Sequence, residues 1–125
     1  AIVTQDLEPF VHTPKASLIT RMTLTGGETM MVINTHGMNR AGFDAFSRQI
    51  EALVEIVRAH TGPVLWGGDF NTNSKEKWIH LMNVTHSLGL TPVTFIPDGR
   101  TKSKLSRLYL DHIFIRDLFV TSAES

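Results

Sequence analysis

Five apolar residues, Phe43, Phe46, Ile50, Leu53 and Val57, step along the chain by three, four, three and four. That spacing is one face of an α-helix, and a strand cannot carry it. Thr61-Gly62-Pro63 stops the helix. The nearly all-apolar run Val64–Phe70 follows at once, as expected of a short buried strand. A helix feeding directly into a buried strand commits the chain to a layered α/β arrangement.

The remaining elements read more locally. Residues 1–16 form an irregular lead-in, interrupted by Pro9 and Pro14. Ser17–Thr25 and Thr29–Thr35 are strand-like, and Gly26-Gly27 joins them as a hairpin. Asn73 or Ser74 caps a second helix, with Glu76 in its first turn and Gly89 at its end. Trp78, Leu81, Met82 and Thr85 form its buried face. Val93–Ile96 is a short strand, Pro97-Asp98-Gly99 a turn and Tyr109–Ile115 a further strand, with Phe119-Val120 a candidate start of another. The expected order is β-β-α-β-α-β-β around a mixed sheet.

At 125 residues the prior is one domain, and 42% hydrophobic residues suffice for a moderate core. Twelve basic and twelve acidic residues cancel, which argues against a protein that coats nucleic acid by bulk charge. There is no cysteine, so disulfides and thiolate metal sites are excluded. No apolar run approaches a membrane span, and no signal peptide or lipidation motif is visible.

Chemistry-bearing residues gather at strand ends. Gly67-Gly68-Asp69-Phe70-Asn71 closes the buried strand. In an extended chain Asp69 and Asn71 face one side and Phe70 the other. The two glycines leave room for a second backbone or a ligand. An acid able to orient water or a metal, beside an amide donor, suits chemistry on a phosphate ester. Asp and Asn are also ordinary turn residues, so the motif alone fits a strand running into a turn. Asn34-Thr35-His36 ends the earlier strand, and Asp111 sits in Leu110-Asp111-His112-Ile113-Phe114. A carboxylate in an apolar strand needs a partner. Thr94-Phe95 precedes a basic loop carrying Arg100, Lys102, Lys104 and Arg107. His12, His60, His80 and His86 read as surface residues, and Trp66 and Trp78 as core.

Taken in order, Asn34-Thr35-His36, Gly68-Asp69-Phe70-Asn71, Thr94-Phe95 and Leu110-Asp111-His112-Ile113-Phe114 resemble the motifs of the endonuclease/exonuclease/phosphatase superfamily, the metal-dependent phosphoesterases related to DNase I. His36 stands 33 residues before Asp69, and Asp111 stands 42 after it. The resemblance implies an α/β fold forming the C-terminal half of a four-layer sandwich, with a mixed, mainly antiparallel sheet and helices on one face. It implies that Asp69 orients or deprotonates the attacking water and that Asn71 contacts the phosphate. It also implies that His36 is a phosphate contact or proton donor and that Asp111 orients a catalytic histidine. Asp69 and Asn71 would stand at a Mg²⁺ or Mn²⁺ site, and Arg100 and Lys102 would bind a phosphate-ester substrate such as nucleic acid, phospholipid or inositol phosphate.

The same resemblance marks departures. The family's principal metal-binding Glu has no counterpart here, Glu8 being a poor candidate. No Ser-Asp-His-x-Pro motif occurs, and Asp111-His112 is followed by Ile-Phe-Ile. The expectation is therefore a catalytic domain represented by its second half, inactive alone. Its sheet would have an uncovered apolar face supplied by Leu18, Met30, Val32, Val64, Trp66, Ile113 and Ile115. That face would drive formation of a homodimer or association with a missing N-terminal half. A non-catalytic assembly module that keeps the motifs is the alternative.

Overall fold

The computed structural model describes residues 1–7, 14–40 and 42–125. The elements are β1 (Ile2–Leu7), β2 (Pro14–Thr23), β3 (Thr29–His36), α1 (Phe43–Arg58), β4 (Val64–Asp69), α2 (Lys75–Ser87), β5 (Thr91–Pro92) and β6 (Asp111–Arg116). The strands form one six-stranded sheet in the order β1-β2-β3-β4-β6-β5. β3 and β4 pair in parallel, and the other four pairings are antiparallel. α1 is the crossover that the parallel pair requires.

The helical stripe does what its period dictates. Phe46, Ile50, Leu53 and Val57 are wholly buried and join Ile19, Met31, Ile33, Val64, Trp66 and Phe114 of the sheet in one core. Leu81 of α2 enters the same core. Ser74 caps α2 by accepting a hydrogen bond from the Lys77 N–H. Both helices therefore cover one face of the sheet; on the opposite face, among the described residues, Leu18 and Met22 are about half exposed, and residues 118–123 border the part formed by β4 and β6. Within the core, Ser17 Oγ donates to Thr35 Oγ1 at 3.1 Å, and Trp66 Nε1–H donates to the same oxygen at 2.9 Å. This buried polar chain ties β2, β3 and β4 together.

Several expectations need correction. Residues 2–7 form a strand rather than an irregular lead-in, and β2 starts at Pro14. A proline is tolerated there because it is the first residue of the strand. Glu8, Pro9 and His12 lie outside the described residues. Val64 and Trp66 belong under the helices, since the pleat that buries them turns Leu65 to the opposite face. Leu18, Met30, Val32, Ile113 and Ile115 do line that opposite face, and Leu18 is 49% exposed. Trp78 is 37% exposed, because Lys77 takes the buried position beside it. The strand expected at Val93–Ile96 is instead the two-residue β5, and Phe119-Val120 is not a strand. His80 is no simple surface residue, since its ring packs edge-on against Phe43 and Phe46.

Candidate active site

Register sets the site. His36 is the Cα partner of Asp69 across the parallel β3–β4 pair, and Asp69 is the partner of Asp111 across the antiparallel β4–β6 pair. β3 and β4 end here and β6 begins here. One row across three strands thus brings together residues far apart in sequence, at the strand ends where α/β sheets usually build sites.

Gly68 makes the row possible. A Cβ on Gly68 would lie 2.1 Å from the Thr35 carbonyl oxygen, and φ there is +138°. The space is filled by the neighbouring strand's backbone and leaves none for a ligand. Past Asp69 the chain leaves the strand. Asn71 adopts φ 51°, and its N–H donates to Asp69 Oδ1 at 2.9 Å. The extended-chain expectation for Asp69 and Asn71 therefore fails. Asn71 is 5% exposed, and its Nδ2 donates to the Gly37 carbonyl at 2.9 Å. Phe70 is anchored as expected, among Trp66, His112 and Phe114.

The segment after His36 is gripped from several sides. Gly37 N–H donates to the Asp69 carbonyl at 2.7 Å. Gln49 of α1 donates from Nε2 to the His36 carbonyl at 3.0 Å and accepts the Met38 N–H at 2.8 Å. Lys77 Nζ donates to the Met38 carbonyl at 3.0 Å, and Asn73 donates to Asn39 Oδ1 at 3.0 Å. His36 itself is exposed, and Lys15 Nζ lies 3.0 Å from its Nε2.

On the other side of Asp69 an open cleft of about 380 Å³ is lined by Asp69, Asp111, Phe95, Arg100 and the backbone around them. Burial raises the Asp111 pKa, and the Asp69 charge raises it further, against the pull of Arg100. Arg100 donates from Nε and Nη2 to the Asp98 carboxylate at 2.9 and 2.7 Å, and from Nη1 to the Asp111 carbonyl at 3.1 Å. Its guanidinium also lies over the rings of Phe95 and Tyr109, at 4.6 and 4.1 Å. The hydrogen bond from Arg100 holds the Asp98 carboxyl down at about 2. Three of the five Arg100 N–H groups are thus engaged within the protein. Lys102 Nζ lies 4.7 Å over the outer ring, Tyr109.

Neither His36 nor Asn71 lines this cleft. His112 belongs to the core: it is buried, stacks on Phe114, and its Nε2 lies 2.8 Å from Thr72 Oγ1. Burial, reinforced by the Arg100 charge, lowers its pKa to about 4. Among the described residues no group of three His, Asp or Glu is placed to hold a metal ion. Asp69 and Asp111 offer two carboxylates, and the Asn71 amide is turned inward. These residues do not build a Mg²⁺ site by themselves.

Sequence reasoning missed Lys15, Gln49, Lys77 and Asp98. Gln49 had a signal, a polar residue inside the apolar stripe of α1. Lys77 is 4% exposed, and nothing local distinguishes it from a solvated lysine.

Comparison with known proteins places the fold. The model of the Endonuclease/Exonuclease/phosphatase family matches residues 2–125. The chain belongs to that family. Among curated members of comparable sequence, a UPF0294 protein of Vibrio campbellii is 34% identical over 94% of this chain and 42% of its own length. A UPF0294 protein of Photorhabdus laumondii is 39% identical over 95% of this chain and 45% of its own. The chain thus spans less than half the length of these relatives. Family folds of known structure superpose on it as well. The human Nocturnin catalytic domain with bound sulfate aligns with a TM-score of 0.61 at 19% identity, over 94% of this chain and 47% of that one. D. rerio TDP2 complexed with a single-strand DNA product aligns at 0.57 and 16%, over 98% and 52%. The sheet with two helices on one face is accordingly half of the family's α/β sandwich.

Proposed function

We propose that this chain is the C-terminal half of the catalytic domain of a phosphoesterase that hydrolyses phosphate esters. The observation that carries the reading is the single row His36–Asp69–Asp111 at the strand ends, in a chain of this family. The anions seen on two folds of the family, sulfate on Nocturnin and a DNA product on TDP2, fit a phosphate-bearing substrate. Asp69, rooted by the Asn71 N–H, orients the attacking water. Asp111, held near Asp69 with a raised pKa, steadies a proton-transfer group across the cleft. Arg100 lines the cleft and Lys102 stands at Tyr109, where they steer the phosphate. Asn71 braces Gly37, which replaces the direct phosphate contact expected of it. A divalent ion, Mg²⁺ or Mn²⁺, belongs to the reading only with its principal ligand supplied from outside these residues. When bound, such an ion stabilises charge developing on the phosphate.

The test is hydrolysis of a chromogenic phosphodiester by the full-length protein, with and without Mg²⁺. Asp69→Asn should cut turnover by about 10²–10⁴-fold, the usual worth of a positioned acid or base. Residues 1–125 alone should give negligible turnover. Unchanged turnover of Asp69→Asn in an active full-length protein would overturn the assignment.

The sheet face opposite the helices, with Leu18 49% and Met22 51% exposed, favours a second element in the reading. This face is covered in the working protein, either by further chain from the same protein or by a second copy in a homodimer. Each buried Å² is worth about 25 cal/mol. Light scattering of residues 1–125 at micromolar concentration should show self-association, and a stable monomer would count against it.

A further inference from the structure

Lys15, near the start of β2, is 7% exposed, and its Nζ reaches 3.0 Å from His36 Nε2. A lysine ammonium has three donors and no acceptor. It can satisfy an imidazole nitrogen only where that nitrogen carries a lone pair. A neutral histidine with its lone pair on Nε2 carries its proton on Nδ1. An imidazolium would set N–H against N–H and charge against charge.

We infer that Lys15 is a positioning residue that fixes His36 in the Nδ1–H tautomer, so that His36 serves its site as a neutral hydrogen-bond donor through Nδ1. The opposite tautomer, Nε2–H, is the one a free histidine side chain prefers, so the contact selects the minor form. The backbone around the ring is already immobilised. Gln49 holds the His36 carbonyl and the Asp69 carbonyl holds Gly37 N–H, which leaves the side-chain torsions and the ring's proton free. The Lys15 contact constrains both. A group with its donor preset toward a phosphate oxygen costs no tautomer change at the moment of use. That the Nδ1–H meets a phosphate rests on the phosphoesterase reading, whereas the tautomer itself does not.

The test is two-bond proton–nitrogen correlation NMR at neutral pH on the full-length protein labelled in histidine, with His36 signals assigned by their loss in His36→Gln. The expected wild-type pattern is that of Nδ1–H. Lys15→Met, which keeps length but removes the donor, should shift His36 toward Nε2–H. Lys15→Arg, which restores a donor, should return the wild-type pattern. An Nε2–H pattern in the wild type, or a Lys15→Met pattern identical to the wild type, would overturn the inference. If Lys15→Met does not fold, the wild-type pattern alone decides. An Nδ1–H pattern in a protein without hydrolase activity would uphold the inference and sink the phosphoesterase reading instead.

Discussion

Asp69 and Asp111 are register partners across the β4–β6 ladder, and the charge of Asp69 adds to burial in holding the Asp111 carboxyl above its usual range. Two like charges opposed across a ladder are unfavourable. Asp69→Asn should therefore lower the Asp111 pKa, measured by NMR titration of its carboxyl carbon. Because the folded pKa is raised, deprotonating Asp111 costs stability as pH rises from its unfolded value through the folded one. Asp111→Asn should then raise Tm at neutral pH, with the gain vanishing in acid; on the phosphoesterase proposal it should also reduce turnover of the full-length protein. A lower Tm at neutral pH would contradict the strain.

His112 gives a second pH effect of opposite sense. Its folded pKa is depressed to about 4 by burial, below the roughly 6.5 of an unfolded histidine. The unfolded chain takes up the proton first, so stability falls as pH drops from about 6.5 to about 4 and the loss then levels off. The size is at most about 3 kcal/mol at 1.36 kcal/mol per pKa unit. Urea unfolding between neutral pH and pH ~4 should show this slope, and His112→Gln should flatten it.

Thr35 accepts hydrogen bonds from both Ser17 and Trp66 in the core. Thr35→Val keeps the shape and removes the acceptor. The buried indole N–H is then left unsatisfied, at a cost of about 1–3 kcal/mol. Trp66→Phe should cost less in the Thr35→Val background than in the wild type, because it removes the unpaired indole N–H along with buried ring area. Chemical denaturation of the single and double variants checks both.

Arg100→Lys would keep the charge and lose the fork that holds Asp98 and the planar face lying over Phe95 and Tyr109. The Asp98 pKa, now about 2, should rise toward the ordinary carboxylate range. The segment from Asp98 to Tyr109 should become more sensitive to limited proteolysis, with little change in global Tm. An unmoved Asp98 titration would mean that the clip does not form.

Periodicity and turn chemistry are local, and they settled the local questions. The stripe from Phe43 to Val57 could only be a helix, Ser74 could cap and Gly26-Gly27 could turn, because each depends on residues a few positions apart. The acid at Asp69 was legible for the same reason, as a carboxylate closing an apolar strand. Only the tertiary structure decided which face each strand residue took and what the polar side chains reached. The strand's end at Asp69 turned Asn71 inward onto Gly37, 34 residues away. The β4 pleat put Trp66 under the helices and Leu65 outside. Lys15 met His36 across 21 residues, and Arg100 met the Asp111 carbonyl across 11. Such pairings depend on strand register and loop closure, which are set by burial summed over the whole core. A residue's own neighbours in the chain therefore carry no trace of them.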